Sequence, residues 1–318
     1  MNTIAFYNLE NLFDTVDDPD TEDDDFTPTG AKKWSNRRYK KKLYKLAKAL
    51  ADIGNGNSDH LPVLIGVAEV ENKTVIENLL DSEPLKHMDY GYVHYDSPDE
   101  RGIDCALIYD RAYFKVIASE PIALFVYDVN GQRDRTRDIL YVNGTLNGEN
   151  VHLFVNHWPS RRQGNDETEH KRIHAADTLL QFMNKIGEKT KRPNFIIMGD
   201  FNDGPHYPSV KRLVDTANLH NPMEQLLTPE RGSANYKMSW MLFDQIMISP
   251  SLLDHDKGTH SIAHSDIFDE RFLTEFEGRY KGTPFRTYVG QKYLGGYSDH
   301  FPVYIQLRYN EKTDRPLS

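Results

Sequence analysis

The stretch "NFIIMGDFNDGP", Asn194 to Pro205, decides how this chain is read. Asn194 to Met198 carries no charge, and Asp200, Asn202 and Asp203 then follow between Gly199 and Gly204. A short uncharged run bounded by turn residues reads as a buried strand. Acceptors at the end of such a strand are held rigidly, and the two glycines predict close backbone packing around them.

The same pattern recurs along the chain. Apolar runs rich in β-branched and aromatic residues predict strands at 3–8, 61–70, 104–110, 114–119, 138–146, 150–158, 194–200, 243–249 and 301–309. Helical spacing predicts amphipathic helices at 36–53, with Leu43, Leu46, Ala47 and Leu50 on one face, and at 166–188, with Ile173, Ala176, Leu180 and Met183 on a stripe. Strands and helices alternate loosely, mixed with hairpin-like pairs, which points to a layered α/β or α+β domain. There is no repeat of fixed period and no Pro/Gly/Ser-rich linker. A single domain over 1–318 is expected, with loop excursions near 14–35 and 254–298. The acidic run at 14–30 lacks EF-hand spacing and its closing Glu, so it reads as a solvated loop.

Composition sets the outer limits. Of 318 residues 38% are apolar and 27% charged, with 18 Tyr and 15 Phe, which supports a sizeable core and excludes global disorder. The formal charge of −10 disfavours broad gripping of a phosphate backbone, although it leaves room for a local basic cleft. The single cysteine, Cys105 in "CALIY", excludes an internal disulfide and a Cys-based zinc site, and is expected inside a strand. "MNTIAFYNLE" lacks the basic and apolar regions of a signal peptide, and no apolar run is long enough for a membrane span. A soluble, monomeric protein is expected. It would be cytoplasmic as the sequence stands, or secreted or periplasmic if a leader precedes it.

The strand ends share a chemistry. Predicted strands run into Asn8, Glu69, His157 and Asp200 with Asn202, and the apolar run at 301–309 is preceded by Asp299 and His300. Polar side chains at rigid strand ends can converge on one point. Carboxylates with Asn carbonyls make a hard oxygen set, suited to Mg²⁺ or Mn²⁺ rather than zinc. Histidines beside them can donate to, or exchange protons with, an oxyanion.

"FYNLEN", "GVAEVEN", "VNHWPSR", "MGDFND", "FDQIMIS" and "YSDHFPV" follow one another from residue 6 to residue 303. In that order they resemble the motifs of the endonuclease/exonuclease/phosphatase superfamily, the DNase I-like metal-dependent phosphoesterases. The resemblance implies a four-layer αββα sandwich, with two mixed sheets face to face, helices outside and the active site at one rim. It implies that Glu69 is the principal metal ligand, with Asn8 and Asp299 as its partners. Asp200 would orient or deprotonate the attacking water, with Asn202 beside it. His300 would contact the scissile phosphate, oriented by Asp244. His157 would protonate the leaving oxygen, paired with Asp104.

Arg161 and Arg162, just after His157, are candidates to grip a phosphate, because a guanidinium matches it bidentately. Arg286, Tyr288 and Tyr293 are candidates to line the cleft. Other chemistries fail: His170 and His174 stand at i, i+4 without HExxH, "GNGNSD" lacks a dinucleotide-site context, and no nucleophile elbow or P-loop occurs. The expected function is metal-dependent hydrolysis of phosphate esters, first of all a nuclease-like phosphodiesterase acting on DNA or RNA. The alternatives are a phosphatase or diesterase of a small metabolite, inositol phosphate or phospholipid headgroup, and an inactive binding module.

Overall fold

The computed structural model describes residues 1–311 apart from 57, 59, 129 and 162–163. Its two large sheets are built from β1 (Asn2–Leu12), β2 (Leu64–Val70), β3 (Tyr90–His94), β4 (Asp104–Asp110), β5 (Phe114–Ile122), β6 (Ile139–Leu146), β7 (Glu149–His157), β8 (Phe195–Asp200), β9 (Asp244–Ile248), β10 (His260–Ile267) and β11 (Val303–Tyr309). One sheet has six strands in the order β10-β11-β1-β2-β4-β3, and the other has five in the order β9-β8-β7-β6-β5. Each sheet holds one parallel pair, β1 with β2 and β7 with β8, and the remaining pairs are antiparallel.

Alternation along the strands stacks the layers. On β8, Ile196 and Met198 join the core between the sheets, while Phe195 and Ile197 join the core beneath α3 (Asn165–Gly187) and α4 (Pro208–Ala217). The six-stranded sheet shares its core with α1 (Asn36–Asp52) and α2 (Lys73–Leu80). This is the four-layer αββα sandwich. The sheets meet closely where Gly66 of β2 faces Met198, since a Cβ there would lie 2.5 Å from the Met198 sulfur. Cys105 is buried on β4, as expected.

Four elements escape the sequence reading. Helix α2 has only two turns, too few for a clear stripe, and starts where Asn72 caps the Val75 N–H at 3.1 Å. Helix α4 and strand β3 are similarly short. Strand β10 lies inside the stretch read as an excursion. It is an edge strand with the polar sequence "HSIAHSDI" and partly exposed faces, so it carries no run of buried apolar residues.

Candidate active site

The parallel pairs carry the site. In β7 and β8, His157 stands in register with Asp200, and across the antiparallel pair Asp200 stands in register with Asp244. The three residues form a row across adjacent strands. Two residues beyond Met198, Asp200 turns to the same inner face as Met198. The row is closely packed: a Cβ on Gly199 would lie 2.4 Å from the Asn156 carbonyl oxygen of the neighbouring strand. Gly204 differs, since its Cβ would meet nothing nearer than 3.5 Å. Of the two glycines, only Gly199 is demanded by close packing.

The other sheet supplies Asn8 and Glu69 through distorted strand ends. Pairing of β1 with β2 slips between Asn8 and Leu12, where Glu10 and Asn11 take φ of 52° and 54°; β2 slips against β4 at Glu69, with φ of 63°. Non-glycine residues in this left-handed region cost roughly 1–2 kcal/mol each, and such bulges re-aim side chains. Here they let the Asn11 N–H donate to Glu69 Oε2 at 2.7 Å, while Glu69 Oε1 lies 3.8 Å from His157 Nε2.

Hydrogen bonds close the centre. Asn8 Nδ2 donates to Asp200 Oδ2 at 3.0 Å, and Asn8 Oδ1 accepts from the Glu10 N–H. His300 Nδ1 lies 2.7 Å from Asp244 Oδ2, and its Nε2 lies 3.9 Å from Asp200 Oδ2. His157 Nε2 lies 3.8 Å from the same oxygen. Asn202, at φ of 49°, donates its side-chain amide to the Trp158 carbonyl and its backbone N–H to Asp200 Oδ1.

Burial pushes the Asp200 carboxyl up to about 6; the charge on Asp244 adds to the rise, while His300 opposes it. Burial acts against charge on His300 too, but Asp244 and Asp200 overcome it and hold the imidazole well above its ordinary range. Burial likewise raises Asp299, yet His300, Arg286 and Lys42 outweigh it and leave that carboxyl below its ordinary value. Acids gathered this closely, only partly offset by His300, His157, Arg286 and Lys42, can receive a cation. Asp200, Asp244 and His300 form a group whose ligand atoms lie close enough to share an ion. Glu69 lines the same cleft, with Oε1 3.8 Å from His157 Nε2, so the carboxylate chemistry gathered here fits a divalent metal.

A cleft of about 570 Å³ gathers Glu69, His157, Asp200, Asn202, Asp299 and His300 along its walls. Arg161 joins them: its Nε donates to the Asn202 carbonyl at 2.5 Å, its Nη2 pairs with Asp203, and it stacks on Tyr207 at 4.1 Å. Asp203 belongs to the scaffold. Its fully buried carboxylate also meets Arg172 Nε at 2.8 Å and Ser209 Oγ at 2.5 Å. Arg162 lies outside the described residues.

Other candidates sit differently. Asp104 Oδ2 lies 3.0 Å from His94 Nε2, and its Oδ1 accepts from the Ser97 N–H. Arg286 binds Asp299 at 2.5 Å and reaches Glu10 at 3.5 Å, beside the main cleft rather than on its wall. Tyr288 is buried against Phe26, Trp34 and Tyr293. His170 faces the Tyr127 carbonyl at 3.1 Å. The sequence reading missed Glu10, Asn11 and Lys42. Buried Lys42 donates to the Glu10 carbonyl and to Thr287 Oγ1, both at 2.7 Å. Its signal was one lysine among several on α1, distinguishable only by its place on the apolar face.

Two face-to-face sheets with acids and imidazoles gathered at one rim define a hydrolase site on a DNase I-like fold. The chain belongs to the Endonuclease/Exonuclease/phosphatase family, whose profile matches residues 3–309. Membership carries the general activity, hydrolysis of phosphate esters. Among solved structures, a mannosyl-6-phosphatase of Bacteroides thetaiotaomicron is similar at 15% identity and TM-score 0.62, over 97% of this chain and 100% of that one. TDP2 of D. rerio, humanized by 14 mutations, is similar at 16% identity and TM-score 0.57, over 96% and 98%. The human Nocturnin catalytic domain with bound sulfate is similar at 14% identity and TM-score 0.50, over 78% and 82%. At such identities these likenesses speak for the fold alone. No curated protein matches the sequence. Among the described residues no helix is long and apolar enough to cross a membrane.

Proposed function

We propose that this chain is a divalent-metal-dependent phosphodiesterase of the nuclease type, in which water attacks phosphorus directly. The observation that carries this reading is the position of Asp200 Oδ2, 3.8 Å from His157 Nε2 and 3.9 Å from His300 Nε2 on the wall of one cleft. A carboxylate between two imidazoles is suited to in-line displacement: one group prepares the water, another meets the leaving oxygen.

Glu69, Asp299 and Asn8 would hold Mg²⁺ or Mn²⁺, which when bound neutralises charge building on the phosphate oxygens. Asp200 orients the water and takes its proton. His300, fixed in tautomer and direction by Asp244, donates to a non-bridging oxygen. His157 delivers a proton to the leaving oxygen. Arg161, held against Asp203 and Tyr207 on the cleft wall, would meet a phosphate oxygen. Tyr236, Met241 and Phe243 add an apolar wall to the same cleft, which favours a substrate with a bulky group on phosphorus.

A second reading, a small phosphorylated metabolite as substrate, is favoured by the formal charge of −10, which repels long polyanions. The mannosyl-6-phosphatase of the same fold is named for such a substrate. The test is a panel assayed with Mg²⁺ and Mn²⁺. Plasmid nicking or bis-p-nitrophenyl phosphate hydrolysis, blocked by EDTA and by Asp200→Ala, supports the diesterase. Phosphate release from sugar phosphates alone overturns it in favour of the second reading.

A further inference from the structure

Lys42 is a charged side chain in an apolar place. It sits on the inner face of α1 with Tyr39, Leu43 and Leu46, and only 2% of it is exposed. Burying an ammonium costs several kcal/mol unless its protons find acceptors. Here Nζ donates to the Glu10 carbonyl and to Thr287 Oγ1, both at 2.7 Å, and Glu10 Oε2 lies 3.9 Å away. The helix thus grips a backbone carbonyl where β1 leaves its regular path.

Much hangs on that carbonyl. Glu10 and Asn11 are consecutive left-handed residues, a backbone that persists only where its surroundings fix it. The Glu10 carbonyl and the Asn11 N–H are two ends of one planar peptide group. One end accepts from Lys42, and the other donates to Glu69 Oε2 at 2.7 Å. Rotating the carbonyl off Lys42 would rotate the N–H off Glu69. A cation on the carbonyl also polarises the peptide and strengthens its N–H as a donor. The same turn holds Asn8, whose Oδ1 accepts from the Glu10 N–H at 3.0 Å.

We infer that Lys42 is a positioning residue: by holding the Glu10–Asn11 peptide it aims the Glu69 carboxylate at the metal. The inference rests on the metal-dependent reading for the task of Glu69, whereas the grip on the peptide is independent of it.

The sign of one measurement separates this role from two simpler ones. The charge of Lys42 is felt at Asp299 and Glu69, so as a bare charge it would repel a cation, and its removal would tighten metal binding. As a mere strut it would lower stability and leave affinity alone. A carboxylate that has lost its aim binds metal more weakly.

Lys42→Met keeps the apolar stem and removes the donors. Calorimetry of Mn²⁺ binding to the EDTA-stripped full chain is expected to give a Kd roughly tenfold higher in the variant, the usual weight of an outer partner of a metal ligand. In the metal-free protein, amide exchange at Glu10 and Asn11 should be about tenfold faster, with β8 unchanged. Equal or tighter Mn²⁺ binding by folded Lys42→Met overturns the inference. If that variant does not fold, Thr287→Val, which frees Nζ from one of its two anchors, replaces it: weaker Mn²⁺ binding restored in Thr287→Ser supports the role, and unchanged binding overturns it. If the wild type binds no Mn²⁺, the metal-dependent reading fails. The exchange at Asn11 then still decides whether Lys42 aims Glu69, and an unchanged rate overturns it.

Discussion

The side-chain amide of Asn8 donates to Asp200 Oδ2 at 3.0 Å across 192 residues of sequence, and the bond joins the rims of the two sheets. Each partner sits at the distorted or terminal turn of a parallel strand pair. The packing of one sheet on the other therefore sets the distance between the groups proposed to hold the ion and the group proposed to prepare the water.

Replacing Asp200 by Asn keeps the shape and removes the base. Turnover of a phosphodiester is expected to drop by roughly 10²–10⁴, the usual worth of a general base. Thermal stability should hold or rise, because burial already disfavours the charged carboxyl. Steady-state kinetics with melting curves on Asp200→Asn checks this, and retained activity would remove Asp200 from the chemistry.

Asp203, three residues on, should behave in the opposite way. It compensates fully buried Arg172 and also holds Arg161. Asp203→Asn strands a buried guanidinium, at a cost of about 3–5 kcal/mol by urea unfolding. A stability change below about 1 kcal/mol would mean that the pair is not the strut it resembles.

Metal dependence should map onto Glu69. EDTA is expected to abolish hydrolysis, and Mg²⁺ or Mn²⁺ to restore it. Glu69→Gln should weaken metal binding measured by calorimetry while leaving the circular dichroism spectrum intact. Unchanged affinity in that variant would point to a different ligand set.

The two glycines of "GDFNDG" should separate cleanly. Gly199→Ala drives a Cβ to within 2.4 Å of the Asn156 carbonyl, and is expected to cost about 1–3 kcal/mol. At Gly204 a methyl group meets only ordinary contacts, so Gly204→Ala should be close to neutral. Denaturant midpoints of both variants decide it.

His152 should give the fold an acid sensitivity far from the catalytic cleft. Burial pushes its imidazole below the ordinary value of 6.5, and its Nδ1 lies 2.8 Å from the Tyr141 hydroxyl. The unfolded chain then binds more protons just below 6.5, so stability falls as pH drops through that value. His152→Gln cannot titrate. The stability difference between wild type and variant should shift against the wild type between pH 7.5 and about 5.5, read as urea midpoints. A pH-independent difference would show that the imidazole keeps its usual affinity for protons.

Much of this arrangement was legible in the sequence, for a physical reason. A strand buried on both faces is mostly apolar, so polar residues that follow its apolar run mark a rim, as at Asn8, Glu69, Asn156 with His157, and Asp200. Nothing in "FYNLEN" or "GVAEVEN" announced that Glu10, Asn11 and Glu69 take left-handed backbone angles, because none is a glycine. The neighbour of Asp104 was equally hidden: His94 comes from β3, a strand too short and half-exposed to recognise. Arg286 was read as a wall of the cleft, yet the fold hands it to Asp299 and Glu10, a choice set by distances between loops.

The pairing of β1 with both β2 and β11 has a further consequence for how the protein is made. During translation the earliest strand of the fold must wait, with one edge unpaired, until more than 290 residues have followed it. Asp299 and His300 emerge just before that closing strand. A nascent chain short of β11 thus lacks both the finished six-stranded sheet and, with Asp299 and His300, two members of the proposed site.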